Sequence, residues 1–234
     1  MISLKCFHFN ALQTNCSVLS LDGGSACVIA DPGMASVQER ERLEKYLADK
    51  GLTPEAILLT HGHFDHIFGV AALLRSFPGI PVYMHPAEAK NVRIAPAYAS
   101  YIEGGDIDNS FATTDIADGD ILRLAGLELE VIGTPGHAPG AVGFYDRTHG
   151  ILLSGDTLFA GSIGRSDLPG GDYDQLMASI LTKLMVRPGD TDVVPGHGPA
   201  TTIAREAATN PFLQPFNEPD PDGDVDPIAL DGLD

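Results

Sequence analysis

The sequence predicts an α/β domain, and three observations lead there. Short runs of Val, Ile, Leu and Phe recur along the chain, amphipathic stretches fill several gaps between them, and the runs end at Gly, Pro or Asp. A chain of 234 residues with 44% hydrophobic content can bury a large core, and no internal repeat divides it. The expectation is one domain over residues 1–212 and an acidic tail over 213–234.

Strands are predicted at 4–9, 16–21, 26–30, 56–60, 81–84, 121–124, 127–132, 141–145, 151–154 and 192–194. The first helix is the best marked. Ser36 and Glu39 form a capping box before "VQERERLEKYLADK", Leu43, Tyr46 and Leu47 share one face, and Gly51 is the stop. Further helices are predicted at about 65–76, 172–186 and 201–208.

The last 17 residues, "EPDPDGDVDPIALDGLD", carry seven acids and no base, so they cannot bury enough apolar surface to offset the entropy of ordering. This segment reads as a flexible appendage. Over the whole chain, 32 acidic residues against 14 Lys and Arg weigh against nucleic acid as a partner, because phosphate contacts need clustered cations. The segment "MISLKCFHFNALQTN" lacks the long apolar core of a signal peptide, and no run of about 20 apolar residues could span a bilayer. The expected location is the cytoplasm, with no membrane partner. Cys6, Cys16 and Cys27 are odd in number, match no metal-binding spacing and read as buried reduced thiols.

Chemistry concentrates in "AILLTHGHFDHIFG", where His61, His63, Asp65 and His66 follow an aliphatic run. Imidazole and carboxylate are ligands for zinc or iron, and four such costly polar groups have no structural need of one another at the end of an apolar strand. Three more apolar stretches each lead into a residue of the same type: "LELEVIGTPG" into His137, "ILLSG" into Asp156 and "DVVPG" into His197. If these strand ends share one sheet edge, the residues converge, and Gly62, Gly136, Gly155 and Gly196 permit the turns that aim them inward.

The expected allocation uses two metals. His61, His63 and His137 suit one site, Asp65, His66 and His197 suit the other, and Asp156 can bridge because a carboxylate has two oxygens to share. The cofactors are thus two divalent ions, zinc first, with iron and manganese accepted by the same donors. His8, His85 and His149 lie outside these clusters and are read as hydrogen-bonded structural groups.

"THGHFDH", "GTPGH", "SGDTLF" and "PGHG", in that order over residues 60–198, resemble the signature of the metallo-β-lactamase superfamily of hydrolases. The resemblance implies an αββα sandwich of two mixed sheets with outer helices and metals at one edge. "GDTLFAGSIGRSDLPGGD" and "GHGPATTIAREAATNPF" are most similar to the small bacterial glyoxalase II type, thioesterases that act on a hydroxyacylglutathione such as lactoylglutathione. A flavodiiron protein would carry Glu at His63, and the commonest zinc β-lactamases carry Cys at Asp156. Asp65 is implied to have a catalytic role, orienting the attacking oxygen as well as ligating metal. Arg165 resembles a glutathione-carboxylate contact, with an ion pair to Asp167 or Asp172 as its alternative. Tyr98, Tyr101 and Tyr173 are aromatic candidates for the cleft and are not assigned to the site.

Two departures bear on the substrate. The larger glyoxalase II enzymes carry a carboxy-terminal helical domain that helps bind glutathione, and only 37 residues follow His197 here. A net charge of −18 also disfavours an anionic tripeptide. The same scaffold offers glutathione persulfide dioxygenase, with one iron on His61, His137 and Asp156, and a metal-bound binding module without activity.

Overall fold

A computed structural model describes residues 1–98 and 107–214. Tyr101 and most of the acidic tail lie outside the described residues. The first sheet contains, in spatial order, β1 (Ile2–Phe9), β2 (Thr14–Leu21), β3 (Ala26–Ala30), β4 (Thr53–Leu58), β5 (Val82–Met84) and β6 (Thr114–Asp115). The second runs β14 (Thr201–Thr202), β13 (Asp192–Pro195), β10 (Ile151–Gly155), β9 (Val142–Asp146), β8 (Leu127–Gly133) and β7 (Ile121–Leu124). Both are mixed: β1, β2 and β3 pair antiparallel while β3, β4, β5 and β6 pair parallel, and β10 pairs parallel with β13 but antiparallel with β9. A short hairpin, β11 (Leu158–Phe159) with β12 (Ser162–Ile163), follows β10.

Alternation along each strand decides the layers. In the first sheet Leu19, Val28, Ala30, Ala56 and Leu58 point to the second sheet, where they meet Leu129, Val131, Phe144, Leu153 and Val194. Their neighbours Val18, Cys27, Ile29 and Ile57 point outward under helices with Leu43, Leu47 and Leu73. On the far side Ile132, Tyr145, Leu152 and Val193 pack with Leu176, Ile180 and Ile203. The order is helix, sheet, sheet, helix, as the family resemblance implies. Leu213, which the sequence reading places in the tail, is fully buried in this last cluster.

Helix α1 (Val37–Lys50) forms as its caps predict: Glu39 N–H donates to Ser36 Oγ at 3.2 Å, and Gly51 ends it at φ +63°. Glu39 also accepts from Asn10 N at 2.7 Å, tying the helix to the loop after β1. The predicted helix at 65–76 is two, α2 (Phe64–Ile67) and α3 (Val70–Ser76). They part because Gly69 N–H donates to Pro32 O at 2.7 Å, in a contact so close that a Cβ there would lie 2.4 Å from Met34. Helix α4 (Ala89–Tyr98) was not predicted, because its interior Pro96 and short apolar pattern disguise it. The predicted 172–186 helix is α5 (Tyr173–Ser179) followed by a π-helical turn, Ile180–Leu184. At 201–208, Thr201 and Thr202 are strand before α6 (Ile203–Thr209) begins. Among the described residues, no helix is long and apolar enough to cross a membrane.

Candidate metal centre

All seven predicted side chains meet at one edge of the sandwich. His61, His63 and His137 form one triangle, their ring centroids 4.6 to 4.9 Å apart. Asp65, His66 and His197 form a second group, and His61, His66 and Asp156 a third; in each, the donor atoms lie within 4.8 Å of one another. Asp156 stands between the groups. Its Oδ1 is 3.5 Å from His66 Nε2, and its Oδ2 is 3.6 Å from His137 Nε2 and 3.4 Å from His197 Nε2.

Strand ends bring them together. His61 follows β4, Asp156 follows β10 and His197 follows β13, while His137 sits in the turn between β8 and β9. Glycine is required where backbones press closest. At Gly196 a Cβ would lie 2.0 Å from Asp156 Oδ1, and Gly136, at φ +131°, would place one 2.2 Å from Leu176 N.

Outer contacts aim the rings. Arg165 O faces His137 Nδ1 at 2.7 Å and Leu12 O faces His197 Nδ1 at 3.0 Å, so in each ring Nδ1 donates and Nε2 is left to the site. Asp31 accepts from Thr60 N at 2.8 Å and from Thr60 Oγ1 at 2.7 Å, and lies 3.1 Å from His66 Nδ1, off the line of a directed hydrogen bond. Thr14 donates to Asp65 Oδ2 at 2.8 Å, Asn10 donates to Asp65 O at 3.1 Å, and Asn15 donates to Pro195 O and Gly198 O on either side of His197.

These five (Asn10, Thr14, Asn15, Asp31 and Thr60) were not singled out from sequence. Asp31 carried a usable signal, since "VIADPG" is one more apolar strand ending in an acid.

Without metal, the seven groups set one another's charge. Burial, with neighbouring imidazoles, pushes His61 well down and His63 down to about 4, so both stay neutral. Burial opposes charge on His66 and His197 too, but there the carboxylates win: Asp65 and Asp156 hold His66 well above its usual value and His197 up to about 9. Asp65 and Asp156 are correspondingly held low by those imidazoles against the cost of burial. Two buried atoms aimed into the cluster, His61 Nε2 and Asp156 Oδ1, have no hydrogen-bond partner. Orphaned acceptors among nitrogen and oxygen donors are what a divalent metal satisfies, so these residues fit the group.

The other predicted residues fall as follows. Arg165 lines the cleft, with its guanidinium held bidentately by Asp167 at 2.9 and 3.0 Å. His8 contacts Asn15 at 2.6 Å, His85 Nδ1 accepts from Ala87 N at 3.2 Å, and His149 contacts Asp146 at 2.7 Å, so each has a structural partner. The three cysteines are free thiols. Tyr98 lines the cleft and stacks on Phe64, whereas Tyr173 is an exposed residue outside it. The cleft above the cluster holds about 750 Å³; Leu12, Phe64, Ile94, Phe159 and Leu168 make its walls apolar.

A sequence model of the metallo-beta-lactamase superfamily matches residues 9–197. The chain belongs to this superfamily. Among metallo-β-lactamase relatives, hydroxyacylglutathione hydrolase GloC of Haemophilus influenzae is 36% identical over 91% of this chain and 98% of its own. Two solved structures are each 41% identical. The BLEG-1 B3 metallo-beta-lactamase superposes with a TM-score of 0.80 over 91% of this chain and 99% of its own. TTHA1623, in a di-iron-bound form, superposes with a TM-score of 0.78 over 89% and 100%. Superfamily membership and the His/Asp groups together indicate divalent metal binding and a metallo-hydrolase scaffold.

Proposed function

We propose that the chain is a binuclear metal-dependent hydrolase of a small thioester, a hydroxyacylglutathione such as lactoylglutathione being the first substrate to test. The observation that carries this is the convergence of two donor groups, with Asp156 between them, at the floor of an open cleft. His61, His63 and His137 would hold one ion, Asp65, His66 and His197 the other, and Asp156 both. Ions held there supply Lewis acidity, which polarises a carbonyl and lowers the pKa of water from 15.7 to about 7.

The chain's own residues do the rest. Thr14 and Asn10 fix Asp65, leaving Oδ1 as the oxygen not engaged by Thr14, His66 or His197, free to accept a hydrogen from the attacking water and orient it. The apolar walls seat the acyl portion and exclude bulk water. The departing thiolate needs no general acid, because a thiol has a pKa of about 8.5. Arg165, at the rim, would exchange Asp167 for a substrate carboxylate. Similarity to GloC, a hydroxyacylglutathione hydrolase, supports the glutathione thioester. The dioxygenase alternative requires only His61, His137 and Asp156 and leaves the assembled Asp65, His66 and His197 group without work.

Steady-state kinetics on lactoylglutathione and two unrelated thioesters, using protein of measured metal content, tests the proposal. Turnover with two ions per chain supports it. One iron per chain with oxygen uptake on glutathione persulfide, or ring opening of a β-lactam without any thioester turnover, would overturn it.

A further inference from the structure

Glu88 is fully buried, and among the described residues the three hydrogen-bond partners of its carboxyl oxygens are all uncharged N–H donors. A carboxylate in such a place is costly unless its bonds are worth more elsewhere. Its bonds go to the two loops that carry three of the imidazoles. Glu88 Oε2 accepts from Gly62 N at 2.8 Å, between His61 and His63, and from Asn91 Nδ2 at 2.8 Å. The other oxygen, Oε1, accepts from Gly140 N at 2.7 Å, three residues beyond His137. At 2.7 to 2.8 Å all three bonds are short for N–H donors to oxygen. Both loops also press directly on this side chain: a Cβ at Gly62 would lie 3.2 Å from Glu88 Cβ, and one at Gly140 would lie 3.2 Å from Glu88 Cγ.

The geometry points to Glu88 as the positioning residue that sets the separation of His61 and His63 from His137, and so the ion affinity of that triangle. It rests on the metal-centre reading above. A carboxylate suits the task because both oxygens accept, one for each loop, whereas an amide can offer an acceptor to only one loop and would turn an N–H donor against the other. Glu88 touches neither substrate nor ion; it acts through two backbone amides.

Three proteins, each fully stripped by chelator, are titrated with zinc against a competing chromogenic chelator, and their melting temperatures are recorded. Wild-type protein must bind two ions, and failure there sinks the metal reading itself rather than this proposal. Glu88→Gln is expected to lose about 10- to 100-fold in affinity for one ion, the range for outer-shell partners of metal ligands. The control is Glu206→Gln, which removes an equally buried glutamate that ties Gly161 to Thr201 and Asn210, none of them within three residues of a ligand imidazole. It is expected to melt earlier yet bind both ions with wild-type affinity. A purely structural Glu88 would instead behave like Glu206, lowering the melting temperature with affinity within about threefold of wild type, and that result overturns the proposal. If Glu88→Gln does not fold, hydrogen exchange on metal-free wild type decides. Protection of the Gly62 and Gly140 amides by this carboxylate is expected to exceed that of the exposed loop amides, and exchange of both as fast as exposed loop amides would overturn the proposal.

Discussion

At the scale of single residues, each member of the cluster answers to a different neighbour. His61 is buried and neutral with an orphaned Nε2, and Asp65 is fixed through Thr14 and Asn10. Replacing either by alanine is expected to cut activity by more than the about 10- to 100-fold typical of outer-shell changes, with far-UV circular dichroism unchanged. His149→Ala, whose ring meets Asp146 in its turn, is expected to keep wild-type kinetics. Wild-type rates in either ligand variant would count heavily against the site.

The metal-free protein should also have a characteristic pH profile. His63, held down to about 4 by burial, binds fewer protons folded than unfolded, so its contribution is complete above its ordinary 6.5 and lost as pH falls toward 4. His197, held up to about 9 by Asp156 and Asp65 against its burial, has the opposite sign: its contribution is complete below 6.5 and lost as pH rises through 9. Urea midpoints of chelator-treated protein should therefore peak near pH 6.5 and fall on both sides. A flat profile from pH 4 to 9 would contradict this picture.

At the scale of elements, local chemistry and close approach divide the labour. The capping box of α1 is a local device, and Ser36→Ala is expected to lower stability by about 1 kcal/mol without altering turnover. Gly136 is a tertiary device, since its φ of +131° and its contact with Leu176 depend on where α5 docks. Gly136→Ala combines backbone strain with overpacking, an expected loss of about 3 kcal/mol or more, and should weaken metal binding because His137 is the next residue. Denaturant midpoints with paired metal titrations check both, and a Gly136→Ala protein of wild-type stability would refute the close approach.

For the whole molecule, the sandwich places strand ends from both sheets at one edge, so ions held there would fasten the two layers together. Metal binding then adds to folding stability by mass action, about 2.7 kcal/mol when free metal is 100 times its dissociation constant. Removing metal should lower the melting temperature, and restoring it should reverse the change. An identical melting temperature with and without zinc would mean that the cluster does not bind zinc in the folded state.

The sequence by itself determined the alternation of elements, the caps of α1 and the seven polar residues at apolar strand ends, because each signal is local or repeats at a fixed period. It also held the superfamily motifs over 60–198. Only the tertiary structure decided what holds those residues in place. Asn10, Thr14 and Glu88 reach the ligand-bearing loops across 26 to 55 residues of chain, from segments whose composition resembles ordinary turns and surface. The break at Gly69 was likewise set by Pro32 and Met34, neighbours that the local sequence does not contain.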